Sequence, residues 1–177
     1  MKKIVIILIA LMAFEPLIGK QAVSYADSNA RLNLWYGSVR SSKTITSIFR
    51  WLNYINDQAP EGDLLMTGKT LTTLKRNILT PMSEITGEDY TLGGKEIKIL
   101  GRKVQIEGAN DERSEGKVRG MTVAGHYGDE ITLWPESYFK MGLSRMSVAG
   151  SKFFGTTNPD GPYHWLKTDY LDREDEL

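Results

Sequence analysis

The segment that decides the fold is GSVRSSKT, which occupies residues 37–44: Gly37, Ser38, Val39, Arg40, Ser41, Ser42, Lys43 and Thr44. The apolar stretch before it, Leu32–Tyr36, predicts a strand that ends at Gly37. From Thr44 onward, apolar residues recur at the spacing of one buried helical face, namely Ile45, Ile48, Phe49, Leu52 and Ile55. A small-residue loop between a strand and a helix is the setting of a phosphate-binding loop of the Walker A type.

This loop offers the groups that a nucleotide needs. Its backbone N–H groups, with a helix N-terminus behind them, form an anion site. Lys43 is predicted to reach the β- and γ-phosphates of ATP, and the Thr44 hydroxyl to ligate Mg²⁺. Ser42 stands where the usual pattern has a second glycine, so a positive φ there would cost energy. The alternative interpretation is an ordinary serine-rich cap before a helix.

A second tripeptide, Gly68-Lys69-Thr70, also lies between a predicted strand (DLLMT, residues 63–67) and a predicted helix. A complete Walker A pattern would need glycine at position 63, where the chain has Asp63. We therefore interpret this tripeptide as a strand exit followed by a helix that Thr70 caps.

An acidic pair, Asp129-Glu130, follows a candidate strand at residues 120–127. In a P-loop enzyme Asp129 would hold Mg²⁺, and Glu130 would orient and deprotonate the attacking water. Without a phosphate loop upstream, such a pair is more often a solvated turn or a helix start. The last predicted strand, residues 152–156, leads to Thr157 and Asn158 at the edge where a parallel sheet meets its ligand. These two side chains could sense a γ-phosphate.

The predicted strands alternate with helices, which favours an α/β fold with a mainly parallel sheet. Residues 89–92, 96–100 and 103–107 are interpreted as an added antiparallel β-meander, with a hairpin turn at Gly93-Gly94. We predict that the helix after Thr70 stops before Pro81 and that residues 108–117 form a loop. The chain, at 177 residues, is long enough for one such domain.

Composition excludes several other classes of protein. The formal net charge is +0, which argues against a strongly basic DNA-coating protein. The absence of cysteine excludes a disulfide framework, a cysteine nucleophile and a thiolate metal site.

The apolar N-terminal segment, residues 1–16, begins with Lys2-Lys3, and small residues near Ala26 could form a cleavage site. Together these features resemble a secretory signal. We disfavour secretion and expect a cytoplasmic location, because Glu15, Pro16, Lys20 and Gln21 separate the apolar run from the possible cleavage site.

Three segments, taken in order, resemble the terminase large subunits of tailed phages, in the group that includes the PBSX type. They are GSVRSSKT, YGDEITLWPE and GTTNPDGPYHWLKTDYL. The resemblance covers residues 17–172, and the second and third segments are more specific than the first. It implies a P-loop NTPase domain of the RecA-like type that hydrolyses ATP to move DNA into a procapsid. In the family an RNase H-like nuclease follows this domain.

The resemblance also implies roles for individual residues. Gln21 would contact adenine, and Arg40 and Lys43 within the loop would act in catalysis. Asp129 would be the Walker B acid and Glu130 the catalytic glutamate. The motif that couples hydrolysis to movement would comprise Thr156, Thr157 and Asn158.

The partners implied by the resemblance are double-stranded DNA, a portal protein, the terminase small subunit, and further copies of the chain in a ring. We expect residues 17–177 to be the ATPase domain, without the nuclease and so without metal-dependent DNA cleavage. The chain would then be a fragment, a split gene or a decayed prophage copy. Two other interpretations remain open: an unrelated P-loop ATPase, and a secreted non-enzymatic protein.

Overall fold

The computed structural model describes residues 17–38, 41–90 and 94–173, and within them six strands form one sheet. The strands are β1 (Leu32–Tyr36), β2 (Asp63–Gly68), β3 (Glu96–Ile99), β4 (Arg102–Gly108), β5 (Val123–Gly128) and β6 (Lys152–Thr157). The α-helices in these residues are α1 (Lys20–Asp27), α2 (Lys43–Asn53), α3 (Leu71–Leu74), α4 (Thr80–Thr86), α5 (Glu115–Val118) and α6 (Glu136–Arg145). Single π-helical turns follow α2 and α3, at Tyr54–Gln58 and Lys75–Leu79.

The sheet order is β1-β6-β5-β2-β4-β3, and every neighbouring pair is parallel except β3 with β4. The carboxyl ends of the parallel strands therefore meet at one edge. At that edge Tyr36 pairs with Thr157, and Gly128 lies between Gly155 and Thr67. In open α/β sheets this is the edge where ligands bind.

Helices pack on both faces of the sheet. On one face α2 and its π-helical extension bury Ile48, Trp51 and Tyr54 completely. On the other face α6 buries Tyr138 and Phe139. These apolar contacts, each removing a large side chain from water, fix the start of α2 against the sheet edge.

The sequence-based prediction of a mainly parallel α/β sheet with an antiparallel addition is confirmed, but the addition is smaller than a meander. Residues 103–107 belong to β4, which pairs in parallel with β2, and only β3 runs antiparallel. Asp89 and Tyr90 are in no strand, and residues 91–93 lie outside the described part, including one glycine of the predicted turn. The hairpin turn between β3 and β4 is Leu100-Gly101, where both residues have positive φ, as a two-residue hairpin requires.

Two local predictions were wrong. The helix does not stop before Pro81: a π-helical turn at Lys75–Leu79 precedes it, and Pro81 lies in the first turn of α4. Pro81 thus lies just after the π-helical turn, inside a continuous helical run at residues 71–86. The predicted loop at residues 108–117 contains a short 3₁₀ turn, Glu112–Ser114, that leads into α5.

The predicted apolar segment at residues 1–16 lies outside the described residues. Within the ranges that the structure describes, no helix has the length and apolar character needed to cross a bilayer.

Candidate active site

A cavity of about 340 Å³ lies at the carboxyl edge of the sheet, beside the N-terminus of α2. The phosphate loop, the acidic pair and the end of β6 all contribute to its wall. Its lining residues are Ser41, Ser42, Lys43, Thr44, Ile45, Asn77, Asp129, Glu130, Thr156, Thr157 and Asn158. These three segments and Asn77, all far apart in the sequence, thus converge on one space.

The Lys43 ammonium contacts phosphate-loop residues on both sides of positions 39 and 40. Its Nζ donates to the Gly37 and Ser38 carbonyl oxygens, both at 2.7 Å, and to Ser41 Oγ at 3.2 Å. A further contact, at 3.1 Å, joins it to Asn158 Oδ1 at the end of β6. Burial lowers the pKa of Lys43 from its usual value. The lysine therefore connects the two sides of the cavity.

Ser42 caps α2 with φ 59° and ψ 15°, a left-handed conformation. This is the position where the sequence pattern replaces the expected glycine with serine. For a residue with a Cβ, the left-handed region costs about 1–2 kcal/mol. The loop thus keeps the backbone shape that glycine would favour, at a cost in stability.

We expect Ser42→Gly to raise the free energy of unfolding by about 1 kcal/mol, because it removes this strain. Nucleotide affinity should rise as well, since a loop without a Cβ allows closer approach of phosphate to the backbone. Thermal melting and titration with a fluorescent ATP analogue measure the two effects.

Ser38→Gly is the matched control, because Ser38 lies in the same loop and does not have a positive φ. It should leave stability unchanged or lower it, since glycine adds freedom to the unfolded chain. Equal effects of the two substitutions would contradict the assignment of strain to Ser42.

Asp129 is 3% exposed and directly follows β5. Its Oδ1 accepts a hydrogen bond from Thr156 Oγ1 at 2.9 Å, and its Oδ2 accepts one from Asn77 Nδ2 at 3.0 Å. Burial raises the pKa of this carboxyl, whereas the two side-chain hydrogen bonds act to lower it. The two side-chain hydrogen bonds therefore fix both oxygens of this buried carboxyl at the cavity wall.

Glu130 has φ 52° and ψ 53°, so a second left-handed residue lines the cavity. Backbone strain of this kind is found at active sites, where the surrounding structure holds it in place. Burial raises the pKa of the Glu130 carboxyl, and the neighbouring Asp129 charge raises it further. A carboxylate with a raised pKa is a better general base near neutral pH.

The end of β6 connects the acidic pair to the following turn. Thr156 Oγ1 accepts from the Glu130 backbone N–H at 3.3 Å, in addition to its bond to Asp129. Thr157 Oγ1 donates to Thr132 Oγ1 at 3.1 Å. Thr156 of β6 is therefore bonded both to the Asp129 carboxylate and to the Glu130 backbone.

The groups on this cavity suit a magnesium nucleotide. Mg²⁺ prefers oxygen ligands and uses few protein groups besides phosphate and water. The Thr44 hydroxyl and the Asp129 carboxylate, on residues that both line the cavity, are oxygen ligands of this type. Lys43 and the N-terminus of α2 supply the positive potential that phosphates need.

None of the other predicted site residues that the structure describes is part of the cavity lining. Gly37 and Ser38 contribute carbonyl oxygens to Lys43, and Val39 and Arg40 lie outside the described residues. Gln21 lies in the first turn of α1 and does not line the cavity. Its role, and that of Arg40, remain predictions.

Asn77 was missed by the sequence analysis, although it lines the cavity and contacts Asp129. The sequence carries only a weak signal for it: a polar residue beside the buried helical face formed by Leu74 and Ile78.

The second Gly-Lys-Thr tripeptide, residues 68–70, forms the strand exit and helix cap that the sequence predicts. Thr70 caps α3 by accepting from the Thr73 backbone N–H at 3.0 Å.

Known structures with the same fold include a large terminase from a thermophilic bacteriophage. One crystal form superimposes with a TM-score of 0.77 and 32% identity over 92% of this chain and 44% of that one. The resemblance to phage large terminases is therefore confirmed. The terminase-like fold is that of a P-loop NTPase. The narrower assignment to the PBSX group stays a prediction.

The same terminase has been solved with nucleotides. Its complex with ADP matches at a TM-score of 0.76, and its complex with ATP-gamma-S at 0.74, each with 30% identity. Each match covers 91% of this chain and 43% of that terminase. The chain thus spans less than half the length of the terminases it matches. No protein-family model matches the sequence, and no curated protein does.

Proposed function

We propose that this chain is the ATPase portion of a phage DNA-packaging motor and that it binds and hydrolyses Mg–ATP in the described cavity. The observation that carries the proposal is the convergence of Lys43, Thr44, Asp129 and Glu130 on one space of about 340 Å³. The nucleotide complexes of the thermophilic phage's terminase, which has the same fold, support it.

In this proposal each side chain has a separate task. Backbone N–H groups at the start of α2 and the Lys43 ammonium bind the β- and γ-phosphates. Thr44 and Asp129 would hold Mg²⁺, which when bound neutralises charge on the phosphates. Glu130 accepts a proton from the attacking water and orients it.

The Lys43–Asn158 contact gives β6 a means to respond to the nucleotide. Lysine has three N–H donors, and Lys43 Nζ already has four oxygen atoms within 3.2 Å. Phosphate oxygens entering the loop must replace some of these acceptors. Loss of the Asn158 contact would free the residue that follows β6, the strand whose Thr156 is bonded to the Asp129 carboxylate and to the Glu130 backbone N–H.

The proposal extends to the partners that the family resemblance implies. ATP hydrolysis would drive translocation of double-stranded DNA into a procapsid, in the host cytoplasm. The chain would act as a homo-oligomeric ring on a portal protein and with a terminase small subunit. Terminase similarity over 92% of the chain favours this function over that of an unrelated P-loop ATPase. The secreted alternative depends on residues 1–16, which lie outside the described part.

The test is a titration of the folded protein with a fluorescent ATP analogue, with Mg²⁺ and with EDTA. We expect saturable binding that Mg²⁺ strengthens and that unlabelled ADP competes away. Stimulation of phosphate release by double-stranded DNA would then support the motor function. A folded protein that shows no saturable binding with Mg²⁺ would contradict the proposal.

A further inference from the structure

We propose that Asn77, together with Arg76, forms a positioning arm that sets the Asp129 carboxylate for Mg²⁺. The inference rests on the proposed function, because it assigns a role within the same site. It adds a fourth segment, the π-helical turn Lys75–Leu79, to the phosphate loop, the acidic pair and the end of β6. Asn77 acts through Asp129 and is therefore a positioning residue.

The arm is a chain of two hydrogen bonds that ends on the buried carboxylate. Arg76 Nε donates to Asn77 Oδ1 at 3.1 Å. Asn77 Nδ2 then donates to Asp129 Oδ2 at 3.0 Å. Arg76 is exposed, Asn77 is half-buried and Asp129 is 3% exposed, so the chain leads from the surface into the site.

The Arg76 bond fixes which way the Asn77 amide faces. An asparagine amide has one accepting and one donating end. Because Arg76 can only donate, it holds the Oδ1 end, and the Nδ2 end must face Asp129. The opposite orientation would place the amide oxygen against a carboxylate oxygen and leave both unsatisfied, which is costly in a buried site.

Asn77 and Thr156 hold the Asp129 carboxylate from opposite sides. Each carboxylate oxygen accepts one of these bonds, and a backbone hydrogen bond from Glu130 also acts on the carboxylate. A carboxylate can accept about four bonds, so capacity for a cation is left. The two bonds together set the rotation of the carboxyl plane. Partners of this kind, which orient a metal-binding carboxylate, affect metal affinity by about 10–100-fold in other proteins.

The backbone beneath the arm is irregular in a way that suits this role. π-helical turns are rare and are frequent at functional sites. The turn at Lys75–Leu79 directs Asn77 to the cavity while Ile78 and Leu79 remain in the core. A fully exposed amide would form its hydrogen bonds with water. The Asn77 amide instead contacts Asp129, which lies 52 residues further along the chain.

The experiment measures how nucleotide binding depends on Mg²⁺ in the full chain. Fluorescent ATP analogue is titrated in EDTA, and again at increasing Mg²⁺, for the parent and for Asn77→Ala. We expect the Mg²⁺ concentration at half-maximal enhancement to rise about 10-fold or more in Asn77→Ala. Binding in EDTA should change by less than about twofold, because the phosphate loop is untouched.

Arg76→Met is the second variant, since its site is exposed and the substitution keeps much of the length of the side chain. It should shift the Mg²⁺ midpoint in the same direction by less. Lys75→Met is its matched control, because it removes a positive charge from the same exposed turn and should leave the midpoint unchanged.

The outcomes separate the inference from the proposed function. A parent that binds with Mg²⁺ enhancement and an Asn77→Ala variant with the same midpoint would overturn the inference alone. Equal weakening of binding in EDTA and in Mg²⁺ would show a general structural role and would also overturn it. A folded parent without ATP binding would overturn both.

Discussion

Glu130→Gln is expected to retain nucleotide binding and to lower ATP turnover by about 100-fold or more, the usual scale for loss of a general base. Glutamine keeps the size and polarity of the side chain but cannot accept the proton. The measurement is phosphate release under single-turnover conditions, with protein in excess, because this detects slow hydrolysis.

The geometry explains why the effect should fall on turnover. Glu130 lines the cavity next to Asp129 and is oriented by its left-handed backbone and by the bond of its N–H to Thr156. Its raised pKa comes from burial and from the Asp129 charge. Neither feature is needed for phosphate binding, which we assign to Lys43 and the start of α2.

Glu136→Gln is the matched control. This residue begins α6, pairs with Lys140 and does not line the cavity. It should hydrolyse ATP at the parent's rate. If Glu130→Gln also retained that rate, the general base would have to lie elsewhere.

Lys43→Ala should weaken ATP binding by about 100-fold or more, because it removes hydrogen bonds to phosphate that are each worth about 1.5–3 kcal/mol. The domain should remain folded. The contacts of the Lys43 ammonium are to the phosphate loop and Asn158, and none is to the apolar core. Titration with the fluorescent analogue, beside a thermal melt, measures both quantities.

Lys69→Ala provides the control and tests the rival loop. Lys69 belongs to the second Gly-Lys-Thr tripeptide, and its Nζ donates to the Asn110 carbonyl oxygen at 2.7 Å. It should bind nucleotide as the parent does. Parent-like binding by Lys43→Ala, together with lost binding in Lys69→Ala, would move the phosphate site from the end of β1 to the end of β2.

The parts of the site that sequence analysis predicted are those with a strong local pattern. The phosphate loop was recognisable because its residues are contiguous and lie between a strand and a helix. The acidic pair and Asn158 each follow a strand, and a parallel sheet brings such ends to one edge. Ser42 was expected to cost energy at positive φ, and the structure gives it φ 59°.

The parts that were missed depend on contacts between distant segments. Asn77 reaches Asp129 across 52 residues, and no spacing rule connects them. The strand at residues 103–107 was assigned to a meander because it follows a hairpin partner. Its parallel pairing with β2 is set by tertiary packing, which overrides local pattern. Pro81 was expected to end a helix, but the preceding π-helical turn places it in the first turn of α4.

The most direct test of nucleotide binding in this cavity is a crystal structure of the chain with Mg²⁺ and ATP-gamma-S. We predict a γ-thiophosphate within hydrogen-bonding distance of Lys43 Nζ, and Mg²⁺ between the Thr44 hydroxyl and the Asp129 carboxylate. Glu130 should face the terminal phosphorus. Nucleotide bound elsewhere, for example beside Lys69, with residues 41–44 making no phosphate contact, would contradict the assignment of this site.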